Sequence, residues 1–142
     1  MTQREGEGLQ SLGAKETRYP TAPDVSILET FSNKAPGRPY KVEFHTAEFT
    51  SLCPVTGQPD FATITIVYQP RELCVESKSL KLYLFAFRSF QGFMESITNK
   101  ICDDLVALLS PRWIMVVGDF NARGGITTRV VAESGKEEAA EE

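Results

Sequence analysis

Apolar and polar positions along this chain recur with two different periods, and the changes from one period to the other mark out its elements. From Tyr40 to Phe49 the pattern alternates, Tyr40, Val42 and Phe44 against Lys41, Glu43 and His45. A period of two is that of a half-buried strand. Phe61 to Tyr68 alternates again, Ala62, Ile64, Ile66 and Tyr68 against Thr63, Thr65 and Val67, and its β-branched residues favour a second strand. Glu76 to Phe90 reads two ways: Leu80, Tyr83, Leu84 and Phe87 fit one helical face, while Leu82 to Phe87 also fits a buried strand. The lead-in Glu76-Ser77-Lys78-Ser79 favours a helix start. Phe93, Ile97, Ile101, Leu105 and Leu108 recur at spacings of three and four, which predicts a helix from Phe93 to Leu109, ended by Pro111. Trp113 to Phe120 reads as a third strand, Asn121-Ala122-Arg123-Gly124-Gly125 as a turn, and Ile126 to Val131 as a fourth strand.

The resulting order, ββααββ, predicts an α+β fold with antiparallel hairpins and two helices on one face of the sheet. Four strands leave exposed edges, which joining sheets across subunits would hide, so a homo-oligomer is expected. The length of 142 residues suffices for one domain with a core. Residues 1–20, rich in Gly, Glu and Gln, are expected to be flexible, residues 21–132 to form the single domain, and residues 133–142 to be a disordered acidic tail.

Charge narrows the function. A formal net charge of −4 argues against a protein that coats nucleic acid, although it leaves room for one nucleobase-sized ligand. No apolar run reaches the roughly 20 residues of a membrane span. The polar start, Met1 to Gly13, has no signal-peptide core, so a cytoplasmic protein is expected. Three cysteines, no CxxC pair and one histidine point to reduced thiols and give little support to a zinc site.

The segment Cys53-Pro54-Val55-Thr56-Gly57-Gln58-Pro59-Asp60 carries the densest chemistry. Its prolines and glycine force a turn, which holds a thiol and a carboxyl at the mouth of a strand. These are the parts of covalent addition to an electrophile, with Cys53 as nucleophile and Asp60 as general acid. Burial would suit Asp60 to that task. The plainer alternatives are a packed cysteine and a turn-capping aspartate. Cys102 lies within the apolar pattern of a helix and reads as packing. Glu95, in the first turn of the second helix, is either a residue favoured by the helix dipole or an anchor for an N–H-rich heterocycle, since a carboxylate accepts two parallel N–H bonds. Glu76 to Lys81 is either a solvated cap or a phosphate-attracting helix start. No GxGxxG and no P-loop occur.

Phe49-Thr50-Ser51-Leu52-Cys53-Pro54 through Gly57-Gln58-Pro59-Asp60-Phe61, then Glu76-Ser77-Lys78-Ser79-Leu80-Lys81, then Arg123-Gly124-Gly125-Ile126, resemble the short, single-module form of the NADPH-dependent 7-cyano-7-deazaguanine (preQ0) reductases. The likeness runs from about Asn33 to Val130. It implies a tunnelling fold, related to GTP cyclohydrolase I, in rings of subunits that commonly stack as two pentamers, with active sites at subunit interfaces. It implies reduction of the preQ0 nitrile to the amine of preQ1 in tRNA queuosine biosynthesis. By the same likeness Cys53 would form a covalent thioimide and Asp60 would protonate the nitrogen. Glu95 would hold the base, Val75, Glu76 and Ser77 would line its pocket, and Lys78, Lys81 and Arg123 would meet the NADPH phosphates. No metal is implied. Where family members carry Phe-His-Glu this chain reads Phe93-Met94-Glu95; Met94 has no proton to donate and is expected to pack against the base. Rival readings are an amidine-forming relative acting on a nitrile in tRNA, a pterin cyclohydrolase that would need a zinc set, and a catalytically silent ring-forming scaffold.

Overall fold

A computed structural model describes residues 19–139. The expectation for the first 18 residues therefore lies outside the described part of the chain. The elements, in order, are β1 (Thr30–Ser32), β2 (Val42–Leu52), β3 (Pro59–Gln69), β4 (Leu73–Val75), α1 (Ser77–Phe85), α2 (Met94–Leu109), β5 (Trp113–Arg123) and β6 (Ile126–Gly135). The long strands form an antiparallel sheet in the order β2-β3-β5-β6, and β1 and β4 form a separate antiparallel ribbon. The α+β reading and the order of the six main elements hold.

The helices cover one face of this sheet. Ala62, Ile64, Ile66 and Tyr68 of β3 and Ile114, Val116 and Phe120 of β5 are buried on that face against Leu80 and Tyr83 of α1 and Ile97, Ile101 and Leu105 of α2. Gly118 marks a close approach: a Cβ there would lie 2.7 Å from the Thr98 hydroxyl of α2. The ambiguous segment after Glu76 is helical. Both carboxylate oxygens of Glu76 accept N–H bonds of 2.7 Å, from Lys78 and from Ser79, which satisfies donors that a helix start leaves free. After Phe85 the helix tightens into a 3-10 turn, Ala86–Ser89. Ser110, at φ 44°, closes α2 in the left-handed conformation, and Pro111 prevents its continuation.

Three features depart from the sequence reading. The β1–β4 ribbon has only three residues in each strand, too few to show a period. β5 and β6 run longer than predicted, so the turn between them shrinks to Gly124 and Gly125, both at positive φ (60° and 81°) as a tight hairpin connection demands. The segment read as a solvated tail from Glu133 is ordered in its first part. Glu133 to Gly135 complete β6, the Glu138 N–H donates to the Gln69 side chain at 2.9 Å, and Glu137 and Glu138 pair with Lys41 and Arg112. Partners on the sheet supply the order that the tail's composition lacks.

Two bulges decide which way the strand ends face. In β2 the register against β3 slips by one residue between Thr46 and Phe49. This turns the alternation over, so Phe49 and Ser51 face the helices as Phe44 does before the slip. In β5 a slip between Phe120 and Arg123 acts in the same way and brings Arg123 round to the face of Phe120.

Candidate active site

Beyond the β2 bulge, Ser51 pairs with Asp60 and Leu52 with Pro59. The Cys53 N–H donates to the Gln58 carbonyl at 2.8 Å, which continues the same register. Four residues, Pro54 to Gly57, close the hairpin. The Gly57 N–H donates to the Cys53 carbonyl at 2.8 Å, and Gly57 takes φ 70°, a conformation open to glycine. With side chains alternating along both strands, Ser51, Cys53 and Asp60 share the helix-covered face. Cys53 and Asp60 stand as diagonal neighbours, a relation that spans about 7–8 Å between backbones. The turn read from the sequence is thus the end of a hairpin, and the β2 bulge aims its thiol.

Cys53 is half-buried. The Thr56 hydroxyl, then the N–H groups of Thr56 and Val55, draw the thiol below its ordinary range, while burial and the charge of Asp60 oppose them more weakly. The Thr56 oxygen also accepts from the Gln58 N–H at 3.2 Å, which holds the side chain within the turn. The sequence reading missed Thr56, although a hydroxyl three residues after a cysteine in a tight turn is the available signal. Cys102 is buried in α2 and its thiol is pushed up to about 11 by burial, which fits a packing role.

Asp60 is buried, its side chain 6% exposed, and Arg123 reaches it: Nη1 lies 3.3 Å from Oδ1 and donates at 3.0 Å to the Pro59 carbonyl. Ser51, opposite Asp60, is fully buried and its hydroxyl has no partner among the described residues. The start of α2 is tied to the same hairpin by backbone bonds. Leu52 donates to the Phe90 carbonyl at 2.9 Å, and Gly92 donates to the Leu52 carbonyl at 3.1 Å. Met94 and Glu95 therefore begin α2 close to Cys53 in the chain path. Met94 is partly buried against the core, and Glu95 is exposed with no ion pair among the described residues.

The second set of predicted residues lies at the start of α1. Val75 is buried at the end of β4. Glu76 spends both oxygens on the cap, an arrangement that holds its carboxyl below the usual glutamate range. Ser77, Lys78 and Lys81 are exposed. Ser77 and Lys81 border an open cavity of about 230 Å³ between β2, β3 and α1, whose walls include Leu80, Leu84, Phe85 and Arg88. Neither Cys53, Asp60, Glu95 nor Arg123 lines it. The fold thus gathers Cys53, Asp60, Arg123 and the α2 start at one place and Ser77 and Lys81 at another.

Both sets lie within a chain that is closely similar to known proteins. The family model described as QueF-like protein matches residues 59–139. The NADPH-dependent 7-cyano-7-deazaguanine reductase of Anaeromyxobacter sp. (strain K) is 58% identical over 120 residues, 84% of this chain and 98% of that protein. The reductase of the same name from Desulfovibrio desulfuricans (strain ATCC 27774 / DSM 6949 / MB) is 52% identical over 142 residues, 99% of this chain and 85% of its own length. Among solved structures, the archaeosine synthase QueF-Like in its apo form superposes with a TM-score of 0.64 at 23% identity, over 69% of this chain and 96% of that one. That likeness establishes a shared fold and agrees with the tunnelling fold. With its match to the family model and its identity to the reductases over nearly their whole length, the chain belongs to the QueF family of NADPH-dependent 7-cyano-7-deazaguanine reductases.

Proposed function

We propose that this protein reduces the nitrile of preQ0 to the aminomethyl group of preQ1, with NADPH as reductant, in the making of queuosine for tRNA. The observation that carries the reading is the pairing of a half-buried thiol with a buried carboxyl on one face of a hairpin end. Identity to the named reductases is 52–58%, against 23% to the archaeosine synthase, and this favours the reductase over the amidine-forming rival.

The chemistry follows from the residues. The Cys53 thiolate adds to the nitrile carbon and forms the C–S bond. One π pair of the nitrile moves to nitrogen, which takes a proton from Asp60, and a thioimide results. NADPH, when bound, supplies the two hydrides of the four-electron reduction. Once the carbon has been reduced the first time, the C–S bond breaks, the electron pair returns to the Cys53 sulfur, and the nitrogen remains in an imine. The second reduction yields the amine, with a second proton delivered to nitrogen through Asp60 after its recharging from solvent. Two protons and two hydrides are consumed and the thiolate is regenerated. Glu95 accepts N–H bonds from the deazaguanine edge, and Met94 packs against the base.

The residues at the start of α1 suit part of a dinucleotide. Lys81 and Arg88 on the cavity wall, with Lys78 at the same helix start, supply cations for phosphate, and Leu80, Leu84 and Phe85 offer an apolar wall. The cavity is smaller than the roughly 300–1,000 Å³ of common ligand sites, which fits a site finished by a second subunit. The separation of the two residue sets and the two open edges, β2 and β6, support a ring-forming homo-oligomer such as a decamer of two pentamers. Sedimentation is expected to show a large assembly, and a monomer at working concentration would contradict it. For the reaction, each preQ0 consumed is expected to oxidise two NADPH and to yield preQ1. No NADPH oxidation with preQ0 would overturn the assignment.

A further inference from the structure

Ser77, Lys81, Phe85 and Arg88 follow one another at helical spacings, so α1 and the 3-10 turn that ends it carry them as a stripe along one wall of the cavity. Arg88 stands apart on that stripe. Its guanidinium carbon lies 4.2 Å from the centre of the Phe85 ring, and Tyr19 packs on the same ring with centroids 4.7 Å apart, so the platform under the guanidinium is itself fixed. The Arg88 side chain is exposed and enters no ion pair among the described residues. A guanidinium stacked in place, with its fork of N–H donors free, is suited to grip a phosphate through two oxygens. The wall is also positive on balance, Lys81 and Arg88 against the single carboxylate of Glu48. Lys81 and Arg88 are seven residues apart, about 10 Å along the axis at 1.5 Å per residue. Side chains of their length close on that gap from both ends. The spacing suits two phosphate groups on opposite sides of one ribose better than the two of a pyrophosphate, which share an oxygen. NADPH differs from NADH only in the phosphate on the adenosine 2′ oxygen, so the group that meets this phosphate decides between the two.

We propose that Arg88, stacked on Phe85 at the far end of this stripe, binds the adenosine 2′-phosphate of the cofactor and so sets the preference for NADPH over NADH. The inference rests on the reading of α1 as the cofactor wall, with Lys81 at the pyrophosphate. It gives the Phe85–Arg88 pair the adenosine end of the dinucleotide and leaves the start of α1, at Ser77, to the end that reacts.

Calorimetric binding of NADP+ and NAD+, and of 2′,5′-ADP and 5′-ADP, to the full chain carrying Arg88→Met, Arg88→Lys or Lys81→Met tests it. Arg88→Met is expected to weaken NADP+ and 2′,5′-ADP about tenfold to a hundredfold, the worth of a charge-assisted hydrogen bond. The same variant should hold NAD+ and 5′-ADP within about twofold of wild type, because the 2′-phosphate is the group they lack. Arg88→Lys keeps the charge without the fork and is expected to fall between the two. Lys81→Met is expected to weaken NADP+ and NAD+ alike, since the pyrophosphate is common to both. Arg88→Gln serves if the methionine variant does not fold, with the same selective loss expected. An equal loss of NADP+ and NAD+ in Arg88→Met would move Arg88 to the pyrophosphate and overturn the proposal. Unchanged NADP+ binding in Arg88→Met, beside a loss in Lys81→Met, would overturn it while leaving α1 as the cofactor wall. Wild-type affinity for both dinucleotides in both variants would remove the cofactor reading of the cavity, and this inference with it.

Discussion

The hairpin end at Cys53 and the helix start at Glu76 each set an electron-rich side chain against backbone N–H groups, and the two outcomes differ. At Glu76 the two carboxylate oxygens take the N–H groups of Lys78 and Ser79, and the Ser79 hydroxyl binds back to the Glu76 carbonyl and receives the Glu29 N–H. The polar groups there are largely consumed in holding helix to ribbon. At Cys53 a hydroxyl and two N–H groups draw the thiol down, yet it stays half-exposed, with a buried carboxyl on the same face. The donors lock one element and, in the proposed reaction, prime the nucleophile in the other. What separates them is whether the acceptor atom remains free to meet a ligand.

Substitutions that sharpen this contrast run from chemistry to stability. Asp60→Asn keeps the shape of the side chain and removes its proton donor. It is expected to lower kcat by about 10²–10⁴, the usual weight of general acid catalysis, in stopped-flow NADPH oxidation. An unchanged rate would place the acid elsewhere. Glu95→Ala is expected to weaken preQ0 binding by about 2–5 kcal/mol in calorimetry, as for loss of one partner from a desolvated charged contact. Retained affinity would return Glu95 to the role of a first-turn residue.

Thr56→Val tests the primed thiol. Without the hydroxyl the largest of the effects lowering the Cys53 thiol is gone, so the midpoint of iodoacetamide alkylation should move to higher pH and the rate at neutral pH should fall. Thr56→Ser should retain the wild-type profile. The smallest effect is expected at the cap. Glu76→Ala should lower stability by about 1 kcal/mol in chemical denaturation, as a lost N-cap does. The folded carboxyl of Glu76 titrates below its ordinary value near 4.5, so the cap contributes fully above that value and fades as pH falls through the lower, folded value. The stability difference between wild type and Glu76→Ala should therefore shrink on acidification and stay constant near neutral pH. A gap that grew in acid would contradict the cap.

Much of the fold is legible in the amino-acid order alone. Ile97, Ile101 and Leu105 announce α2 because one buried face repeats with the helical period, and Ala62 to Tyr68 announce β3 because alternate residues meet the helices. The bulges at Ala47-Glu48 and Asn121-Ala122 leave no such trace, since a slip in register depends on the neighbouring strand rather than on local propensity. That is why Cys53 and Asp60 are legible as a pair on a turn, whereas the partner of Asp60 is not. Arg123 reaches it only because a bulge changes its face. Glu133 to Glu138 mislead for a related reason: their composition is that of a solvated tail, and the order comes from Lys41, Gln69 and Arg112 elsewhere in the chain.

In the proposed reaction the Cys53 sulfur is the atom that traps the nitrile, and every later step depends on that bond. Mixing the protein with preQ0 in the absence of NADPH and measuring intact mass tests it without the rest of the cycle. The expected result is an adduct equal to one preQ0 per subunit in the wild-type protein, discharged when NADPH is added, and none in Cys53→Ala. No adduct in the wild type, or an undiminished adduct in Cys53→Ala, would contradict it.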